Sequence, residues 1–433
     1  MTQKRMNCMQ TLRLCAIGAL LIGTVTAADF HLSPAGSGTR DGSSAQNAAP
    51  GSSGSSLFND KLQPGDRLLL GPGEYSGISF NLAKGGTKEK PKTLAGAPGT
   101  VFSSKWSIEK PDKGATAITL APGASHIAVQ NIGIRNYCFA VRANPSKDAP
   151  RAGLIFDNVD IDHVRHGFYL SDCDDLLITG CDMKRYSKHG FRFEQGCDRV
   201  TLKACVADCS EGDADWETKT EVFPFGFNIN NGGAPNTVFL LEDCVAKNNI
   251  KSNQKAKYTN GDGFVAEANT SGVAFLRCHA LRNQDGGFDI KVKDAEFTDC
   301  VATGHRRDFR VWASATLKNC FAGWSTTGFW TKGGPIVVEG CTFIGHRKSS
   351  LEIEDNAPGP FTFTNCLLGS DEEKYTPMVG KDITLDASNV TAKPAASLGL
   401  GKADAKWDGT GTAGDSSAHP AKGYSSKRVS KAK

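Results

Sequence analysis

Along most of the chain apolar and polar residues alternate in short runs. Phe288, Ile290 and Val292 interleave with Asp289, Lys291 and Lys293, for example. A period of two places successive side chains on opposite sides, which is the pattern of a strand and not of a helix. The runs recur in two registers. In one, Phe or Leu follows a polar or Gly pair, at Phe168, Phe191, Phe227, Phe264, Phe288, Phe309, Phe329 and Leu351. In the other, a run ends in one repeating slot, at Asn131, Asn158, Cys181, Cys205, Cys244, Cys278, Cys300, Cys320, Cys341 and Cys366. The registers alternate with a period of roughly twenty-two residues, broken by insertions at 211–223 and 248–260.

Self-similarity at such a period means a solenoid whose coils bury a shared core. Short strands stacked in parallel, with the crossover hand that parallel strands favour, predict an all-β, right-handed, single-stranded parallel β-helix. The 48 Gly fit a chain of short strands and turns. Of the fourteen cysteines, the eight in the repeating slot read as a ladder of free thiols, because residues of one slot stack about 4.8 Å apart and Cys tolerates full burial. The ladder is expected to point inward and to continue Asn131 and Asn158. No Cys-x-x-Cys pair suggests a thiolate metal site.

The ends differ from the body. Residues 1–28 carry Lys4, Arg5 and Arg13, an apolar run and a small-residue exit, the order of a secretory signal peptide. Residues 29–385 form the β-helix domain, with an N-terminal cap over about 29–116, a strand at 67–70 and a short Ser-capped helix at 56–62. Residues 386–433 are Ala, Gly, Ser and Lys-rich and read as a flexible basic tail. Losing the leader lowers the formal charge from +4 to +1, and residues 402–433 of the tail hold seven Lys or Arg against three Asp, so the body is slightly acidic. Such a body is a poor nucleic-acid surface. The expectation is a secreted or periplasmic monomer with no membrane contact once the leader is removed.

Aligning the coils on Phe arranges the outward residues in columns. Two before Phe lie His166, His189, Asp262 and Arg307; one after lie Arg192, Asn228, Asp289, Arg310 and Trp330; three after lie Asn230, Glu267, Lys291, Trp312 and Lys332. Cations that pair with carboxylates, and indoles that stack on sugar faces, suit an acidic polysaccharide. Asp262, Asp285 and Asp289 fall on neighbouring coils, where mutual repulsion points to a bound cation, with Ca2+ the natural oxygen-ligated choice.

Gly261-Asp262-Gly263-Phe264, followed one coil later by Asn283-Gln284-Asp285-Gly286-Gly287-Phe288-Asp289, resembles the calcium-binding region of the family 9 polysaccharide lyases, β-helix enzymes that include pectate lyases. The resemblance implies Asp262, Asp285 and Asp289 as calcium ligands, with Gly286 at a fourth ligand position, and Arg310 where the family has a lysine base. It also implies β-elimination on a uronic-acid polymer such as pectate, an alginate-like chain or a biofilm exopolysaccharide. Lys291 is the second candidate base, provided that its surroundings depress its pKa. A glycoside hydrolase, a C5-epimerase or a non-catalytic exopolysaccharide-binding matrix protein remains open on the same residues.

Overall fold

The phenylalanine register supplies the first of three faces in each coil. The computed structural model describes residues 27–230, 232–251, 260–380 and 391–392. Five successive first-face strands carry the central chemistry: β1 (Phe225–Ile229), β2 (Asp262–Ala266), β3 (Gly286–Ile290), β4 (Arg307–Val311) and β5 (Thr327–Thr331). They pair in parallel with Phe227, Phe264, Phe288, Phe309 and Phe329 in one row. The inward rings stack nearly flat, with centroids 4.9, 4.7 and 5.0 Å apart from Phe227 to Phe309. That spacing matches the distance between paired strands, so one aromatic per coil fills the axis without a gap.

Each coil then crosses a second face, turns sharply, and crosses a third. The sharp turn is one residue with positive φ, occupied in successive coils by Asn131, Asn158, Gly180, Ala204, Asp243, Arg277, Asp299, Asn319, Gly340 and Asn365. This corrects the second register. Asn131 and Asn158 are exposed turn residues, joined by an Asn158 Nδ2 to Asn131 Oδ1 hydrogen bond of 2.8 Å. They precede the cysteine slot by one position, and that slot is filled upstream by Ile132 and Val159. Asn adopts the left-handed turn more readily than most residues, which is why it recurs there.

The cysteines themselves point inward as expected. All twelve in the described residues are buried free thiols. Their Sγ–H groups donate to carbonyls of their own and the preceding coil, as Cys205 does to Lys203 and Ile178 at 3.4 Å each.

At the N-terminal end Asp29–Ser33 already pairs in parallel with Arg67–Leu70. The helical segment here begins earlier than the sequence suggests, with Gly51–Ser53, Gly54–Ser56 and Leu57–Lys61 in succession. Ser56 makes no side-chain cap. Instead Gly54 lies flat on the ring of Phe80, where a Cβ would come within 2.1 Å of Cζ. The signal-peptide reading lies almost wholly outside the described residues. So does the tail reading, except that Thr391–Ala392, inside the stretch expected to be a free extension, pairs with Leu367 and Leu368. Among the described residues no helix is long and apolar enough to cross a membrane.

Candidate active site

Parallel pairing turns the outward positions of the first face into a continuous strip. Asn228, Val265, Asp289, Arg310, Trp330 and Glu352 are neighbours in register across successive strands. Arg192 and Tyr169 extend the row upstream. The column one after Phe, from Tyr169 to Glu352, therefore runs along one face over roughly 35 Å at about 4.8 Å per strand.

The centre holds the three carboxylates, all buried. Asp262 begins β2, and its Oδ1 accepts the backbone N–H of Gly286 at 2.7 Å. A Cβ on Gly286 would approach Asp262 Oδ1 to 2.8 Å and Asp289 Cβ to 3.4 Å, so the glycine separates these two aspartates. Asp285 receives Arg306 Nη1 at 3.2 Å and Arg310 Nη1 at 3.4 Å. Asp289 accepts the Trp312 indole N–H at 2.6 Å, with Lys291 Nζ at 3.6 Å and Arg310 Nε at 3.7 Å. Burial, then the Asp289 and Asp285 charges, push the Asp262 carboxyl well above the usual carboxylate range. Burial raises Asp285 as well, against the opposing pull of Arg310 and Arg306.

The cations are layered with indoles. The Arg310 guanidinium lies 4.5 Å from the Trp312 ring and 5.5 Å from Trp330, Arg307 lies 4.9 Å from Trp330, and Lys332 Nζ lies 4.1 Å from Trp312. Trp330 is anchored through its N–H to Glu354 at 3.0 Å. Burial together with Arg306 and Arg310 lowers the pKa of Arg307.

Two site expectations change. Lys291 Nζ donates to Glu267 Oε1 at 2.7 Å. Burial alone would lower its pKa, but the Asp289 and Glu267 carboxylates outweigh it and the pKa is raised. Lys291 is thus a fixed ammonium, not the depressed lysine that a base requires. Calcium also fits poorly. Asp285 and Asp289 are already neutralised by Arg306, Arg310 and Lys291, Asp262 is turned to the Gly286 amide, and Gly286 supplies no side chain. Among the described residues no group of three or more His, Cys, Asp or Glu is arranged to hold a metal ion.

Upstream, His166 and His189 are buried rather than solvent-facing turn residues. Their rings stack between Phe139 and Phe225, with Nδ1 to Nδ1 at 2.9 Å. Arg192 Nη1 lies 2.7 Å from His189 Nε2. A guanidinium only donates, so His189 Nε2 accepts, its proton sits on Nδ1, and that N–H donates to His166 Nδ1. Burial pushes both histidines well below their ordinary value, His189 helped by His166 and Arg192 and His166 by Arg165 and Arg192. Glu194 gathers Arg192, Asn230 Nδ2 at 2.8 Å and Tyr169 OH at 3.1 Å. Asn228 is buried between these groups and β2, and its Oδ1 has no hydrogen-bond partner among the described residues.

Sequence reasoning missed Arg306 and the fully buried Asp308. Asp308 stands immediately before Phe309, where other coils have Gly167, Gly190, Gly226, Gly263, Gly287 and Gly328. Its carboxylate accepts from His305 Nδ1 at 2.7 Å, His346 Nε2 at 3.0 Å and Ser325 Oγ. The signal was legible: an acid in a column of glycines.

A family profile described as a right handed beta helix region matches residues 149–322, in accord with the hand expected from the crossover rule. No curated protein matches by sequence. Among solved structures, the A-module of the Azotobacter vinelandii mannuronan C-5 epimerase AlgE4 aligns with TM-score 0.51 at 13% identity, over 76% of this chain and 91% of that one. The pectate lyase Pel9A aligns with TM-score 0.49 at 16% identity, over 86% and 80%. At these identities the likeness is one of fold: a right-handed parallel β-helix.

Proposed function

We propose that this strip is the reaction face of an exported or periplasmic polysaccharide lyase that cleaves a uronic-acid-containing polymer by β-elimination. The observation that carries the reading is the set of cations fixed by buried carboxylates and layered with indoles, centred on Arg310. Such a face pairs with sugar carboxylates through the guanidinium groups and stacks pyranose faces on Trp312 and Trp330. The relatives on this fold include a pectate lyase, an alginate lyase and mannuronan epimerases.

In the proposed reaction Arg307 and Lys332 neutralise the uronate carboxylate, which acidifies the C5 proton. A base removes that proton, the C5–H electron pair becomes the C4–C5 double bond, and the C4–O4 bond breaks. The departing oxygen takes a proton. Arg310 occupies the base position by resemblance, and the raised pKa of Lys291 favours Arg310 over Lys291 in that role. No step is routed through calcium, because arginine and lysine already balance the aspartates.

One observation favours a second reading. Asp262, held towards its protonated form beside Asp285 and Asp289, is the kind of carboxyl that a glycoside hydrolase uses as its acid. The test is to incubate the protein with pectate, alginate and bacterial exopolysaccharides and follow the ultraviolet absorbance of the unsaturated product. The lyase predicts rising absorbance that Arg310→Ala lowers by about 10²–10⁴-fold and that a chelator leaves intact. Chain shortening without absorbance selects the hydrolase, inversion at C5 without shortening selects an epimerase, and binding alone selects a matrix protein.

A further inference from the structure

The turns that carry the coils from third face back to first border an open cavity of about 510 Å³ beside the strip. Its walls include Arg282, Arg306, Arg347, Trp324, Thr326 and Glu372. Arg306 joins it to the strip, because the same Asp285 carboxylate holds Arg306 and Arg310. Arg282 is balanced by Glu217. Arg347 is exposed, is steadied by a 2.7 Å bond to Thr326 Oγ1, and has no carboxylate partner among the described residues. The lining thus holds three arginines against the one acid Glu372, and with Arg282 and Arg306 paired, Arg347 is the cation it turns to solvent.

Trp324 is the bulkiest residue of this turn. Its φ is 54°, in the slot where the flanking coils place Gly304 and Gly345 and the earlier coils Asn248 and Arg282, all at positive φ. A bulky side chain in that conformation is strained, and strain of this kind collects at ligand sites. Gly345 makes room for the indole: a Cβ there would approach Trp324 Cδ1 to 2.7 Å. The ring leans on Phe321 at a tilt of 43°, with centroids 5.6 Å apart, and remains half-buried at the cavity wall.

We infer that this cavity is a subsite for one anionic sugar residue of the polymer, reached where the chain or a branch crosses the turn edge from the strip. Resting on the reading of the strip as an acidic-polysaccharide face, the inference assigns the carboxylate to Arg347 and Arg306, the ring face to Trp324, and hydroxyl contacts to Thr326 and Glu372. An indole beside the Arg347 guanidinium, with Arg306 shared with Asp285, supplies both halves of sugar-acid recognition.

The test compares wild type, Arg347→Glu and Trp324→Ala on the polymer that the wild type cleaves, and measures binding of size-defined oligouronates by calorimetry. Arg347 is exposed, so its variant remains informative should Trp324→Ala fold poorly. The expected result is a KM on long chains raised roughly tenfold or more, the loss of one charge-assisted contact, with kcat unchanged and the shortest cleavable oligomer turned over as before. Unchanged KM and affinity in both variants on a polymer that the wild type cleaves would overturn the subsite alone. A wild type that neither binds nor cleaves any oligouronate overturns the strip reading and the subsite together.

Discussion

Asp308 shows how a single residue departs from a repeat for a physical reason. The glycines of its column lie against inward polar side chains of the turns: a Cβ on Gly263 would meet Asn283 Nδ2 at 2.6 Å, and one on Gly287 would meet His305 Cε1 at 2.9 Å. Asp308 enters that space and collects two imidazoles and a hydroxyl. The chain of bonds continues from His305 to Asn283 at 3.1 Å, to Asn249 at 2.8 Å and to Tyr186 at 2.5 Å. Burial lowers the His305 and His346 pKa values to about 3, so both stay neutral at ordinary pH. Asp308→Gly restores the column but strands both histidines, and is expected to cost about 1–3 kcal/mol for each unsatisfied group, read from the urea midpoint. An unchanged midpoint would show that the network is neutral to stability. Lys291 is the complementary case. Since its charge is fixed by Glu267 and Asp289, Lys291→Met is expected to weaken substrate binding while leaving the pH dependence of kcat in place; a lost alkaline limb would return it to the role of base.

At the scale of elements, the aromatic column of Phe139, His166, His189 and Phe225 behaves as one stack that happens to contain two imidazoles. Their native pKa values lie well below the ordinary value near 6.5, so the unfolded chain binds protons that the native stack refuses. Stability is therefore full above about pH 6.5 and falls as pH drops, by up to about 1.4 kcal/mol per pH unit for each histidine. Denaturant titrations from pH 8 to pH 5 should show this slope summed over the buried histidines, His166, His189, His305 and His346 among them, and His189→Phe, which preserves the stack, should reduce it by one histidine's share, up to about 1.4 kcal/mol per pH unit. An equal slope in the variant would mean that the pair titrates normally. The turn insertion at 211–223 also acquires definition at this scale. Its helix Ala214–Thr218 is capped by Asp213, buries Trp216 and reaches across to Arg282 through Glu217. The second insertion falls largely outside the described residues, including Lys255, Lys257 and Tyr258.

At the scale of the whole molecule, the thiol ladder and the phenylalanine stack form one core from end to end. Because the cysteines are buried and unpaired, the folded protein should resist thiol reagents, and denaturation without reductant should release every described cysteine to labelling. Labelling that needs prior reduction would instead reveal disulfides. The chain by itself determined this core: a twenty-odd-residue period in Phe and Cys leaves no other way to bury both than to stack the coils, and that stacking fixed which outward residues share a face. It gave the aspartates, Arg310, Trp312 and Trp330 as neighbours before any coordinate. Tertiary structure decided what the neighbours do to one another. Whether an aspartate meets a guanidinium or an ion, whether Lys291 is depressed or raised, and whether two histidines face water or each other depend on angles and distances of a few ångströms, which a period of two cannot encode. The one-position slip of Asn131 and Asn158 has the same origin, since a turn residue and a buried one sit side by side in the sequence and only the left-handed backbone at that corner tells them apart.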